Sequence, residues 1–593
     1  MSGPSIEVPR LETAPEKRLD SWKEIAAYLN RDVTTVQRWE KREGMPVYRH
    51  VHDKRGSVYA VPEELDVWRG QRRPREEQQE VAESGEDLRV RPAATRRGWG
   101  TRTVWWAVVA VVVCVGLAAG YVAWRGRARA AAGPQIRSLA VLPLRNLSGD
   151  ASQDYLAEGI TEELIGKLAG IRELKVTSHT SVMRFKDPKI SVPEIAQALG
   201  VDAVVEGSVI REGDRIRVSA QLIRAATDTH LWSESYDREM SDALTLESEL
   251  AQAIAEKVRV SVTGAEQERL TAARAVAPEV YESYLRGRYV AEHGFGSVEL
   301  EQAVKNFDDA IAKDPTFAQA YLGLAVTYFE MGKVYAGGDP REMDPKAMQA
   351  ARKAIELDPN LTNAHVLLAN ALQKEWQWAA SEAEYKRALQ LGPNDATAHL
   401  GYAFWLLSQG RTDEALEWER RARELDPELV SGSDIAWILF QSHRFDEAIR
   451  EAREAVAVQP DDVSGLYFLG FALLGKGEAA EAIPVLEKSV ALSKGSPVPE
   501  GILVRAYAQA GRREDALRLL AKMKRRREEG YFPAAALLNA YLGLGDKEQA
   551  FVWLEEAVRE RSDIVQFIKT HPFFDPIRSD PRFVDLQRRM GLG

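Results

Sequence analysis

The chain has 593 residues and a net charge of −10, and 45% of its residues are hydrophobic and 28% charged. This length predicts several domains, and the composition excludes disordered and collagen-like proteins. The single cysteine excludes a disulfide scaffold and any cysteine-based zinc or iron–sulfur site, and the nine histidines show no HExxH or comparable ligand spacing. The sequence therefore predicts no metal site and no cofactor.

The N-terminal segment has the pattern of a small helical domain with a hairpin. Apolar residues recur at Trp22, Ile25, Ala26 and Leu29, which is the spacing of one helical face, and Ser21 is placed to cap that helix. In chain order the predicted elements are helices over 21–29 and 34–43, strands over 47–52 and 57–60 around the basic turn 53–56, and a third helix over 62–68. This arrangement is typical of a winged helix-turn-helix.

The phrase SWKEIAAYLNRDVTTVQRWEKREGMPVYRH resembles the MerR and excisionase group of DNA-binding domains. The resemblance implies a second helix in the major groove and a wing that lies against phosphate. Residues 17–75 carry 14 basic and 9 acidic side chains, a balance that suits a polyanion such as DNA. The predicted DNA-binding residues are Thr35, Gln37, Arg38, Lys41, Arg42, Lys54 and Arg55. The alternative is a helical adaptor whose basic face is only solvated.

Residues 103–124 form an apolar run of 22 residues without a charge. At ~1.5 Å per residue a helix of this length spans ~33 Å, enough to cross the hydrocarbon core of a membrane. More arginines precede the run than follow it, which predicts a cytoplasmic N-terminus and periplasmic or extracellular C-terminal domains. Gly116 and Gly120 have the GxxxG spacing that allows two such helices to dimerise, although the pair also fits simple low-volume filler. We therefore expect a single-pass protein of the bacterial inner membrane.

After residue 136, apolar strand candidates alternate with amphipathic helices, which predicts an α/β domain. Four segments of this region resemble the TolB-like amino-terminal domain. They are SLAVLPLRNLSGD, LAEGITEELIGKLAGI, VVEGSVIREGDRIRVSAQLI and LWSESYDRE. The resemblance implies a domain for binding or assembly. Gly166 and Lys167 lack the spacing of a phosphate-binding loop and no GxSxG motif occurs, so no enzyme activity is predicted.

The C-terminal half repeats with a period of about 34 residues, the length of a tetratricopeptide unit. Small residues recur at Ala415, Ala448, Ala482, Ala516 and Ala550. The pattern predicts about eight tetratricopeptide-like repeats between residues 284 and 564, followed by a tail that caps the last one. Such arrays bind proteins or peptides in a concave groove. Asn363, Asn370, Asn394 and Asn539 are candidates for that groove, and equally for plain surface positions.

The predicted fold class is therefore multidomain and mainly α: an N-terminal winged helix-turn-helix, one transmembrane helix, an α/β TolB-like domain and a C-terminal α-solenoid. The predicted boundaries are a flexible tail at 1–17, the winged helix-turn-helix at 18–70, a flexible linker at 71–102, the membrane helix at 103–124, a juxtamembrane linker at 125–136, the TolB-like domain at 137–264, the repeats at 265–564 and a cap at 565–593.

This order of domains resembles the membrane-anchored ToxR-like one-component regulators, which implies a DNA-binding transcriptional regulator. In this interpretation the external α/β and repeat region binds a protein or peptide partner or senses a signal, and the chain forms a homodimer when it acts on paired DNA half-sites. The alternative is a non-catalytic scaffold that assembles an envelope complex through its repeats. DNA binding by residues 17–75 distinguishes the two hypotheses.

Overall fold

The computed structural model describes residues 19–68, except 20, 30, 32, 44, 50–57, 63 and 67, and residues 136–593, except 187–189, 272–274, 294–296, 334–338, 428, 430–431 and 494–495. The chain divides into two compact units, Met1–Arg125 and Gly126–Gly593.

In its described residues, the N-terminal unit has two named helices and a short hairpin, and residues 62, 64–66 and 68 are also helical. The elements are α1 (Trp22–Leu29), α2 (Val33–Glu43), β1 (Tyr48–Arg49) and β2 (Val58–Tyr59). The two strands are antiparallel, and Tyr48 lies opposite Tyr59. The backbone N–H of Glu24 donates to Ser21 Oγ at 3.2 Å, so Ser21 caps α1 as predicted. Ile25, Val36 and Leu65 are fully buried and form the core that joins these elements.

The second unit begins with a six-stranded mixed sheet. The strands are β3 (Ser138–Val141), β4 (Arg145–Asn146), β5 (Lys175–Val176), β6 (Ala203–Glu212), β7 (Arg215–Arg224) and β8 (Thr229–Glu239). Their order is β5-β3-β6-β7-β8, with β4 paired to β6. β3 is parallel to β5 and β6, whereas β6, β7 and β8 are antiparallel. The predicted hairpin of β6 and β7 is confirmed.

Five helices accompany the sheet: α3 (Asp154–Ala169), α4 (His179–Met183), α5 (Val192–Leu199), α6 (Ala243–Val258) and α7 (Gly264–Thr271). The alternating residues Ile216, Val218 and Leu222 of β7 are fully buried and form one core with apolar residues of α3 and α6. The predicted α5 ends where expected, because Gly200 adopts the left-handed conformation at φ 64° that a helix C-cap favours.

Within the described residues from 278 to 559, sixteen helices pack as eight consecutive pairs. Their bounds, α8 to α23, are Pro278–His293, Ser297–Lys313, Ala318–Met331, Pro340–Leu357, Thr362–Lys374, Trp378–Leu391, Ala396–Ser408, Thr412–Leu425, Gly432–Gln441, Phe445–Val458, Val463–Lys476, Ala479–Leu492, Pro497–Gln509, Arg513–Glu529, Ala534–Leu544 and Lys547–Arg559. This confirms the prediction of about eight helical repeats.

The small residues of the period lie at the helix crossings. The five periodic alanines are each 0% exposed. At Gly470 an added Cβ would collide with the side chain of Leu486 in the partner helix, so this crossing requires glycine. The small residues that recur every 34 positions therefore lie where two helix backbones approach each other.

The C-terminal tail covers the last repeat and also returns to earlier ones. It contains α24 (Asp563–Gln566), a 3₁₀ segment (Pro572–Ile577) and α25 (Pro581–Arg589). Apolar residues of α25 join the core of the last repeats. The indole N–H of Trp378 donates to the carbonyl of Met590 at 2.7 Å, across 212 positions of the chain. The tail therefore caps the last repeat and also contacts a helix far earlier in the array.

The predicted membrane span needs correction. In the described parts of the chain, no helix is both long and apolar enough to cross a membrane. The longest helix in the described residues, α11, has 18 residues and is rich in charged side chains. A membrane span needs about 20 mainly apolar residues. Over the part of the chain that the structure describes, the fold class is therefore mainly helical with a C-terminal solenoid and without the predicted transmembrane helix. The predicted localisation in the inner membrane is wrong for the same reason. Residues 103–124, with Gly116 and Gly120, lie outside the described residues.

One buried carboxyl group in the array gives a pH-dependent prediction. Glu419 on α15 is fully buried, and neither of its carboxylate oxygens has a hydrogen-bond partner. Burial, together with the nearby Asp434, raises the pKa of Glu419 to about 8. In the unfolded chain a glutamate titrates near its ordinary value of ~4.3. Between these two values the folded state binds more protons, so this group lowers stability as the pH rises through that window.

We expect Glu419→Gln to remove this cost. The Tm should rise by about 2–4 °C or more near pH 8 and change little near pH 4.5, measured by differential scanning calorimetry. Glu417→Gln, an exposed position on the same helix, is the control and should leave both values unchanged. An unchanged Tm for Glu419→Gln near pH 8 would show that the buried carboxyl carries no such cost.

Candidate functional site

Helix α2 presents the described part of the predicted DNA-binding face. Arg38 is exposed and Thr35 and Gln37 are half-buried, while Val36 points into the core. Lys41 and Arg42 belong to the same helix, but their side chains lie outside the described residues, as do Lys54 and Arg55 of the predicted wing. The structure thus brings three of the predicted residues onto one helix.

The segment after the hairpin holds α2 and the hairpin in place. The rings of Trp39 and Trp68 lie 5.7 Å apart. The hydroxyl of Tyr48 donates to Glu64 Oε2 at 2.9 Å, and the hydroxyl of Tyr28 donates to Asp66 Oδ2 at 2.8 Å. These contacts join residues 64–68 to α1, α2 and β1, which fixes the three elements relative to one another.

A second candidate site is a cavity of about 380 Å³ where the α/β part meets the first repeats. Helices α3, α7, α8 and α10 line it, together with the loops that precede α12 and α14. Its charged lining residues are Glu162, Glu163, Glu266, Glu292, Glu330, Asp358 and Asp395, with Lys167, Arg269 and Arg288. Because acidic residues predominate, the lining favours cationic groups.

Polar side chains of the repeats hold the α/β part against the array. The amide of Asn394 donates to the carbonyls of Arg172 and Leu174 at 2.9 and 3.1 Å. The guanidinium of Arg269 donates to the carbonyl of Leu391 at 3.0 Å. Each of these contacts joins residues more than a hundred positions apart. One side of the array is therefore occupied by the protein's own α/β part.

The four asparagines that were candidates for the groove have different roles. Asn363 is exposed and lines the cavity. Asn394 binds the α/β part, as described. The Oδ1 of Asn370 accepts from the hydroxyl of Tyr385 at 2.5 Å, and Asn539 is buried. Only Asn363 is therefore placed to meet a partner in the cavity.

Buried charge surrounds the floor of the cavity. The guanidinium of Arg288 forms ion pairs with Glu162, Glu163 and Glu292. The hydroxyl of Tyr284 donates to Glu163 Oε1 at 2.6 Å. Beneath them, burial raises the pKa of Glu247 well above its usual range, and the hydroxyl of Tyr281 donates to this carboxyl group. The fold thus concentrates carboxyl groups at this junction.

Comparison with protein families identifies both parts of the second unit. Residues 135–256 match the model described as the second domain of HilA/YgeH-like transcriptional regulators. Residues 366–429 and 433–497 match one tetratricopeptide-repeat model, and residues 473–540 match another. The chain therefore carries a HilA/YgeH-like regulator domain followed by tetratricopeptide repeats. The predicted repeats are confirmed, and the α/β part carries a regulator description where we predicted a TolB-like one.

Curated relatives share only part of their length with this chain. Putative adenylate cyclase 3 of Rhizobium meliloti is 33% identical over 253 residues, which are 42% of each protein. Cellulose synthase 1 operon protein C of Komagataeibacter xylinus is 28% identical over 212 residues, which are 33% of this chain and 16% of that protein. The chain spans less than half the length of these curated relatives.

Solved structures of repeat proteins also match. A thermophilic tetratricopeptide-repeat protein of Thermus thermophilus is 19% identical, and the match covers 33% of this chain and 99% of that one with a TM-score of 0.28. YrrB, described as a tetratricopeptide-repeat protein with an unusual peptide-binding site, is 20% identical, with coverages of 36% and 84% and a TM-score of 0.20.

The contacts of Asn394 predict how the two parts of the second unit are held together. Asn394→Ala removes the hydrogen bonds that this amide donates, so the carbonyls of Arg172 and Leu174 lose this donor. We expect a loss of about 1–3 kcal/mol in the free energy of unfolding, measured with urea. Amide hydrogen exchange should accelerate in residues 171–176. Asn363→Ala is the control, because Asn363 is exposed at the cavity. Equal stability of the two variants would contradict this assignment.

Proposed function

We propose that this chain is a DNA-binding transcriptional regulator whose tetratricopeptide repeats bind a protein or peptide partner. The observation that carries the proposal is the match of residues 135–256 to a regulator domain, in one chain with a small N-terminal unit of helices and a short hairpin. The repeats supply the interaction surface that such arrays commonly provide.

In this proposal α2 enters the major groove and reads bases. Arg38 is exposed near the middle of the helix, and an arginine can bond both acceptors of guanine. The resemblance to the MerR and excisionase group supports the same orientation for Thr35 and Gln37. Lys54 and Arg55 would contact phosphate, which positions the domain without reading sequence.

The partner would bind where the array is open. The α/β part and the C-terminal tail already contact the array, and the cavity near Asn363 lies between helices of both parts. Its acidic lining would suit a basic peptide segment, because positive side chains would meet an excess of carboxylates.

The matched families are named for regulation and for protein-interaction repeats rather than for a reaction. The name of the Rhizobium meliloti relative refers to cyclase activity, but the matched part is only 42% of that protein. We therefore propose a non-enzymatic regulator, in which DNA binding is the output and partner binding is the input.

The DNA-binding proposal predicts a specific loss. In footprinting and gel-shift titrations with the 593-residue chain, we expect binding to DNA from its own upstream region. Arg38→Ala should weaken the preferred site by about 1–3 kcal/mol and relax its sequence preference. Arg55→Ala should weaken all sequences about equally and reduce the salt dependence.

The matched control is Lys23→Ala, because Lys23 is an exposed basic residue on α1. It should change neither the affinity nor the preferred sequence. If wild type and Arg38→Ala bind every DNA alike, the domain is not a sequence reader. If neither binds DNA at all, the chain is better explained as a scaffold that acts through its repeats.

A further inference from the structure

Five side chains of the kinds that bind metal ions, three glutamates and two histidines, come together where the α/β part meets the first helix of the array. Glu158 and Glu162 lie one turn apart on α3, His179 begins α4, and Glu292 and His293 end α8. Glu158, Glu292 and His293 each offer a ligand atom, and these atoms lie within 4.8 Å of one another. Glu162, His179 and Glu292 form a second such group. The two groups share Glu292.

Two of these carboxylates, Glu158 and Glu292, each have one oxygen near a cationic side chain and the other near a histidine. Glu158 Oε1 lies 2.7 Å from the Lys186 ammonium, while its Oε2 has no hydrogen-bond partner and lies 3.5 Å from His293 Nε2. Glu158 is only 3% exposed. Glu292 Oε1 lies 3.2 Å from Arg288 Nη2, while its Oε2 lies 3.8 Å from His179 Nδ1. The remaining oxygens thus face into the cluster.

The orientation of His293 makes this arrangement specific. Its Nδ1 lies 3.0 Å from the carbonyl of Tyr289, and a carbonyl only accepts, so Nδ1 carries a proton. In the neutral ring Nε2 then presents its lone pair to the carboxylate of Glu158. Either a proton on Nε2, which makes the ring cationic, or a bound cation satisfies both atoms. Metal-binding histidines show this same pattern, in which the second nitrogen donates to a carbonyl.

The distances suit a small divalent ion. Ligand atoms in a tetrahedral zinc site, with bonds of ~2.0–2.1 Å, lie ~3.3–3.4 Å apart. The distance of 3.5 Å between Glu158 Oε2 and His293 Nε2 is close to this value. His179, whose Nδ1 lies 3.8 Å from Glu292 Oε2, belongs to the second group and is not counted among the ligands of this ion.

We propose that Glu158, Glu292 and His293 bind a divalent transition-metal ion of the zinc class through one imidazole nitrogen and carboxylate oxygens, with solvent in the remaining position. A neutral imidazole and carboxylates suit this class of ion. Lys186 and Arg288 hold the outer carboxylate oxygens and orient the inner ones. Glu162 pairs with Arg288 and lies beside the ion.

The ligands come from both sides of a junction inside the second unit. Glu158 belongs to the α/β part, whereas Glu292 and His293 belong to the first repeat helix. An ion bound by these three residues would therefore link the regulator-like part to the repeat array and stabilise their contact. This proposal does not depend on DNA binding and can be tested without it.

The test is metal titration of the 593-residue chain after treatment with a chelator. Calorimetry with Zn²⁺ should show one tight site per chain, and the Tm should rise with Zn²⁺ by linkage. Glu158→Gln and His293→Ala should each weaken that site by at least about tenfold. Co²⁺, used as a spectroscopic probe, should give visible absorption bands in wild type that are lost in His293→Ala.

His230→Ala is the matched control, because His230 is an exposed histidine on β8 of the same unit. It should bind Zn²⁺ like wild type. Circular dichroism without metal shows whether each variant is folded, and His293→Gln replaces His293→Ala if the latter is not. Absence of a tight site in wild type, or equal Zn²⁺ affinity in wild type, Glu158→Gln and both His293 variants, would overturn the proposal.

Discussion

The helical array depends on the small side chains that lie where its helices cross. The periodic alanines are fully buried, and each allows two helix backbones to approach closely. A larger side chain would hold one pair apart, and because each pair packs on the next, the shift would pass along the array.

The array is also closed by segments of its own chain. His571 and Phe573 of the tail lie among the rings of Trp437, Phe440 and Phe471, in the middle of the array. The α/β part is held to the array through Asn394 and Arg269. Much of the surface that a partner could use in an isolated repeat array is therefore already in contact with this chain.

The same junction contains most of the unusual charge. Glu158, Glu163 and Glu247 are held among helices, where a carboxylate is costly unless a cation or a donor meets it. Lys186 and Arg288 meet some of these oxygens, and tyrosine hydroxyls meet others. Carboxylate oxygens that still face a histidine explain why a divalent cation suits this place. Charge compensation and the contact between the two parts are therefore linked.

The sequence by itself determined the features that rest on local periodicity. The Ala period gave the eight helix pairs, the alternation in β7 gave the hairpin, and Ser21 gave the start of α1. The sequence did not determine how the α/β part, the array and the tail meet. Asn394, Trp378 and His293 contact residues far away in the chain, and such isolated contacts produce no periodic pattern in the sequence. The sequence also predicted no metal site, because a ligand motif is recognised by residues that are close together in the chain. Only the tertiary structure brings such residues together.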